Sequence, residues 1–118
     1  MLHVHLVSDS TGETVHQAAR AAIAQFPNTE VTEHIWTLVR TEDHVDLLSK
    51  SLEKHGGLLL LSVVNPAIRK SVERACVKYA VPHLSILDPV VNLIGMVLGT
   101  TANHQPGAQH RLDEAYFK

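Results

Sequence analysis

The sequence predicts an α/β fold: an open sheet of four parallel strands in the order 2-1-3-4, with helices on both faces. Three observations predict it. Apolar runs of strand character alternate along the chain with segments of 3.6-residue period. Each strand runs into a helix across a very short connection that carries helix-start chemistry. One run, Leu58 to Val64, is apolar at nearly every position, as in a strand buried on both faces. Strand–helix–strand crossovers are right-handed and make the strands parallel.

The elements follow in order. Residues 2–7 read as a strand. Residues 11–26 read as a helix with Val15, Ala18, Ala19, Ala22, Ile23 and Phe26 on one face, and Ser10-Thr11-Gly12-Glu13 fits a capping box. Residues 30–39 alternate and contain Glu33 and His34, which places them at an edge. Residues 42–55 carry Val45, Leu48 and Leu52 at helical spacing. They start after Thr41 and stop at Lys54-His55-Gly56-Gly57, basic residues followed by glycine. After the 58–64 strand, Asn65-Pro66 opens a helix over 66–80, with Ile68, Val72, Ala75 or Cys76, and Tyr79 inward. Residues 83–87 form a short strand, and Asp88-Pro89 opens a helix over 89–98. The apolar 58–64 strand belongs in the centre, which gives the order 2-1-3-4. The expected architecture is Rossmann/flavodoxin-like, and its ligand edge is the one where strands end and helices begin.

Composition narrows the function classes. The chain has 118 residues, 45% of them apolar, enough for one domain with a real core. Its single cysteine, Cys76, rules out an internal disulfide and does not suit a secreted protein. Cys76 reads as a small core residue. No signal-peptide pattern stands at the start, so a cytoplasmic location is expected. The longest apolar stretch, Pro89 to Gly99, is shorter than the roughly 20 residues that span a bilayer. The formal net charge is -2, basic residues are scattered and aromatics make up 4%, so neither a nucleic-acid nor a membrane partner is expected.

The candidate site is the loop between the first strand and the first helix. Ser8, Ser10, Thr11, Gly12 and Thr14 surround a helix N-terminus, where free N–H groups and the helix dipole suit a phosphate or other anion. Asp9 and Glu13 oppose an anion there, and a well-capped turn is the competing reading. Arg40, at the end of the second strand, can clamp an anion. Asp9, Asn65 and Asp88 are the other polar candidates on this edge, and capping accounts for the last two as readily. The loop matches neither nucleotide-binding glycine pattern. No nucleophile–base pair is readable, so no catalytic residue is assigned. His3 and His5 share a strand face, but spacing indicates no third ligand, and no metal site is expected.

Two features point beyond the domain. The 89–98 helix is apolar nearly all round, as a buried helix is. A four-stranded domain covers one side of it at most, so a second copy or another domain is expected to cover the rest. After the turn-rich Thr100–Gly107, Arg111 to Lys118 starts a helix-like pattern and stops. Residues 1–99 thus read as an α/β domain, and residues 100–118 as a tail leading toward a further domain.

Val7-Ser8-Asp9-Ser10-Thr11-Gly12-Glu13-Thr14, Trp36-Thr37-Leu38-Val39-Arg40-Thr41, Leu87-Asp88-Pro89 and Gln105-Pro106-Gly107-Ala108-Gln109-His110-Arg111-Leu112-Asp113 with Tyr116-Phe117 occur here in one order. Together they resemble the bacterial pyruvate, phosphate dikinase regulatory proteins and the related phosphoenolpyruvate synthase regulatory proteins. Thr37 departs from the proline expected at that place. The resemblance implies a bifunctional enzyme. It would phosphorylate a threonine of the dikinase with ADP as donor and remove that phosphate by phosphorolysis with inorganic phosphate. It further implies a P-loop-like nucleotide motif in a C-terminal half that these residues do not include. On that basis the chain is expected to be the N-terminal domain, inactive alone. No cofactor is expected in this piece, with ADP and phosphate used by the full-length protein. The implied partners are the dikinase or phosphoenolpyruvate synthase and the chain's own C-terminal domain, with homo-oligomerisation through helix 89–99. A free-standing anion-binding or protein-interaction module and a small complete enzyme are the alternatives.

Overall fold

The computed structural model describes residues 1–100. The tail motif at 105–117 and the expected end of the domain organisation lie outside the described residues. Eight elements alternate along the chain: β1 (Leu2–Ser8), α1 (Glu13–Ile23), β2 (Val31–Trp36), α2 (Glu42–His55), β3 (Leu58–Ser62), α3 (Pro66–Lys78), β4 (His83–Ser85) and α4 (Asp88–Leu98). The four strands form one parallel sheet in the order β2-β1-β3-β4, as the sequence predicts. In register, His5 of β1 lies opposite His34 of β2 and Leu59 of β3.

Strand alternation divides the core in two. Val7 of β1 and Leu59 and Leu61 of β3 point to one face, where they pack with Val45, Leu48 and Leu52 of α2 and Ile68, Val72, Ala75 and Cys76 of α3. Val4 and Leu6 point to the other face and pack with Val15 and Ala19 of α1. The second face is thinner. Leu58 and Leu60 of β3 are only partly buried there, although the sequence suggests full burial. The reason is cover: two helices lie on the first face, while α1 is the chief helix of the second. The Cys76 side chain is fully buried, and burial pushes its thiol up to about 12. A thiol so placed stays protonated, in keeping with a core role.

Several expected boundaries move. Gly12, at φ 88°, is the N-cap of α1, and no side-chain cap bond forms. The expected capping box therefore does not form in the expected register, because the helix begins at Glu13. Ala22 is exposed within α1, and Phe26 is 65% exposed because α1 ends at Ile23 and the chain turns away. The second strand stops at Trp36 instead of running to 39, since Leu38 takes a positive φ of 54° and the chain bends over the carboxyl end of β1. Asp88 is the first residue of α4 and not its cap. By contrast, Thr41 caps α2 through His44 N–H, and Asn65 caps α3 through the N–H groups of Ala67 and Ile68.

Helix α4 has no buried residue, and Val90, Leu93, Ile94, Met96, Val97 and Leu98 are each more than half exposed. No helix among the described residues is long and apolar enough to cross a membrane.

Candidate functional site

The carboxyl ends of the strands carry the loop 8–14. Asp9, 2% exposed, holds it to the neighbouring junction: its Oδ2 accepts the N–H groups of Val64 and Asn65 at 3.0 and 3.1 Å. Ser8 Oγ accepts the N–H of Ser10 at 2.9 Å. The carbonyls of Ser8 and Ser10 accept the N–H groups of Val39 and Leu38, both at 2.9 Å. Arg40 Nε donates to the Asp9 carbonyl at 2.8 Å. The loop is thus laced to the β2–α2 connection by three bonds and to the β3–α3 connection by a carboxylate. A Cβ on Gly12 would lie 3.2 Å from the Thr37 methyl, so the turn is snug as well as left-handed. Thr37, the departure from expected proline, packs its methyl there.

The candidates sort by burial and partner. Ser8, Asp9 and Ser10 are buried and belong to the framework. Thr11 is exposed, and Gly12 and Thr14 are half-buried at the start of α1. Arg40 is exposed and makes no ion pair with a described residue. Asn65 and Asp88 are held by structural partners. Asn65 caps α3, and Asp88 takes Arg69 Nη1 on both carboxylate oxygens at 3.1 Å. The structure therefore brings Ser8–Thr14, Arg40 and Asn65 to one edge, and gives Asp88 to an ion pair between α3 and α4. A helix start with a guanidinium beside it can hold an anion.

A second constellation escapes the spacing argument. The third histidine that spacing does not indicate is supplied by topology. The parallel register sets His34 beside His5, alternation puts His3 on the same face, and α2 ends there with His55. Ring centroids are 5.2 Å apart for His3–His34, 4.8 Å for His3–His55, 4.7 Å for His34–His55 and 4.7 Å for His5–His34. His3 Nδ1 and His34 Nε2 share a hydrogen bond of 2.9 Å. His5 is fully buried, with Nε2 2.9 Å from the Gly56 carbonyl and no partner at Nδ1. The sequence held the signal in pieces: a histidine at the predicted edge strand, and another in the last turn of a helix returning to the start of the sheet.

Burial holds the His5 imidazole below its usual value. The nearby rings of His34, His55 and His3 act the same way, and the Gly56 carbonyl opposes them. His34 is lowered by burial and by His55 and His3. Both rings favour the neutral form in the fold, whereas the unfolded chain takes up their protons near pH 6.5. Stability is therefore fully present above about pH 6.5 and falls as pH drops through the lower folded values. In chelated buffer the urea midpoint should hold steady from pH 8 to 7 and decline from pH 6.5 to 5. A His5→Gln, His34→Gln chain should show a flatter decline, and an equal slope in both chains would refute the assignment.

A family model described as Kinase/pyrophosphorylase matches residues 4–118. The chain belongs to the kinase/pyrophosphorylase family. Its relatives include proteins named "Putative pyruvate, phosphate dikinase regulatory protein", three of which illustrate the match. That of Rhodospirillum rubrum is 44% identical over 115 residues, covering 98% of the chain and 42% of the relative. That of Sphingopyxis alaskensis is 44% identical over 116 residues, covering 98% and 43%. That of Erythrobacter litoralis is 41% identical over 117 residues, covering 99% and 42%. The chain spans less than half the length of these relatives.

Proposed function

We propose that this chain is the N-terminal domain of a bifunctional cytoplasmic regulator of pyruvate, phosphate dikinase or phosphoenolpyruvate synthase. The regulator phosphorylates a threonine of its target from ADP and removes that phosphate with inorganic phosphate. The observation that carries this reading is the family match along residues 4–118, joined by relatives whose name states dikinase regulation. No glycine–lysine–hydroxyl loop stands in the 118 residues, so nucleotide chemistry is assigned to a C-terminal half. Residues 1–99 serve that half as an accessory domain, and 100–118 lead toward it. The purified chain should transfer no β-phosphate from ADP to a dikinase threonine, whereas the chain joined to a C-terminal half with such a loop should. Transfer by the 118 residues alone would overturn the division of labour.

Within the domain, the loop Ser8–Thr14 with Arg40 takes the phosphate group. Ser8, Asp9 and Ser10 fix the loop, Gly12 lets an oxygen approach the backbone, and Thr11 and Thr14 offer hydroxyls. A charged hydrogen bond contributes about 1.5–3 kcal/mol, so affinity of the domain alone should be millimolar at best. Titration with phosphate and pyrophosphate should move amide NMR signals of residues 9–14 and near Arg40, with weaker effects in Arg40→Ala. Shifts elsewhere, or none, would leave the loop a capped turn. The apolar surface of α4 supports a further part of the reading, cover by the C-terminal half or a second copy. Sedimentation of the chain as a well-behaved monomer would count against the second copy.

A further inference from the structure

We propose that His3, His34 and His55 form a site for one divalent transition-metal ion of the zinc class, at the opposite end of the sheet from the anion edge. Each ring offers a nitrogen, and the three ligand atoms lie within 4.8 Å of one another. Zinc–imidazole bonds of about 2.0–2.1 Å in a tetrahedron set nitrogens about 3.4 Å apart. The short His3–His34 pair, at 2.9 Å, and the 4.8 Å limit bracket that spacing, so small ring rotations suffice. Binding would replace the His3–His34 hydrogen bond with two metal bonds. All three rings are half-buried, which leaves them reachable from solvent while their backbones are fixed.

The fixing comes from three elements. His3 lies in β1, His34 in β2 and His55 in the last turn of α2. The backbone at His3 is held by close approach of Gly57, where a Cβ would sit inside the His3 carbonyl. His5 is tied to the Gly56 carbonyl and stacks on His34, so it buttresses that ring without being a ligand. None of the three rings forms an ion pair with a described carboxylate. An all-imidazole set suits zinc, cobalt, nickel or copper over magnesium or calcium, and three protein ligands leave a fourth position for water or another donor. The ion would clamp the sheet edge to the helix end.

The test uses the untagged chain stripped with chelator. Calorimetric titration with zinc chloride should show one ion per chain with a Kd in the micromolar range or tighter. His3→Gln, His34→Gln and His55→Gln should each weaken it at least tenfold, and His83→Gln should leave it unchanged. At a free-ion concentration a hundredfold above Kd, Tm should rise by roughly 10 °C, and magnesium should leave it unmoved. If a variant fails to fold, cobalt binding to the unsubstituted chain decides. The proposal expects the strong visible absorption of four-coordinate cobalt and the largest NMR shifts at the three rings, with smaller ones at His16, His44 and His83. No zinc binding, binding indifferent to the three substitutions, or shifts centred on other histidines would overturn it.

Discussion

A Gly57→Ala chain is expected to lose most of its stability margin at 25 °C, far more than Gly56→Ala. Gly57 takes φ 89°, which costs an L-residue about 1–2 kcal/mol. The larger cost is steric. The added methyl would overlap the carbonyl oxygen and carbon of His3, and backbone cannot swing aside as a side chain can. Gly57 precedes the register in which Val4 pairs with Leu58, so relief requires parting the two central strands at their start. The total should exceed about 4 kcal/mol, a large share of the 5–15 kcal/mol that holds a typical domain together. Gly56→Ala is the control. Its φ is 63°, but an added Cβ there meets nothing within 4 Å. Backbone strain alone should cost about 1–3 kcal/mol and leave the chain folded. Far-UV circular dichroism and urea titration of the two variants decide, and equal stabilities would refute the steric account.

Asp9→Ala should cost about 3–4 kcal/mol. One carboxylate oxygen accepts two backbone N–H groups, each bond to a charged acceptor being worth about 1.5–3 kcal/mol. Alanine removes the acceptor and leaves the donors of Val64 and Asn65 near a buried gap. Asp9→Asn keeps an oxygen in place without the charge and should recover more than half of the loss. The measurement is the urea midpoint at pH 7. An asparagine variant no more stable than the alanine one would mean that charge, not the acceptor, carries the effect. The same substitution should slacken the Arg40 contact, because Arg40 binds the backbone carbonyl of residue 9.

The fold was legible because local signals agreed. Thr41 and Asn65 cap their helices as their residue types predict, and the apolar 58–64 run does lie inside the sheet. Legibility failed where a distant partner decides a residue's role. Asp9 reads as a charge opposing an anion, yet its carboxylate serves a junction 55 residues further on. Asp88 reads as a cap because proline follows it, but the Arg69 guanidinium claims it. The histidines could not be grouped by spacing, since register and a helix terminus assemble them. Helix α1 begins after Gly12 because a left-handed turn ends the loop there, a choice that the hydroxyls of Ser10 and Thr11 do not reveal.

The strand order also governs how the molecule assembles in time. Every pairing in the sheet spans a crossover: Leu2 meets Val31, Val4 meets Leu58, and Leu59 meets His83. No hairpin among the described strands can form early as a local nucleus. The first strand made is interior, and it waits for residue 58 before its second neighbour exists. Closing such long loops before any sheet contact forms slows the search, so refolding belongs to the slower part of the millisecond range and above. Amide exchange in the finished chain should follow the same geometry. Protons of β1 and β3, bonded on both sides and buried, open only with the whole domain, while those of α4, with no buried residue, exchange first.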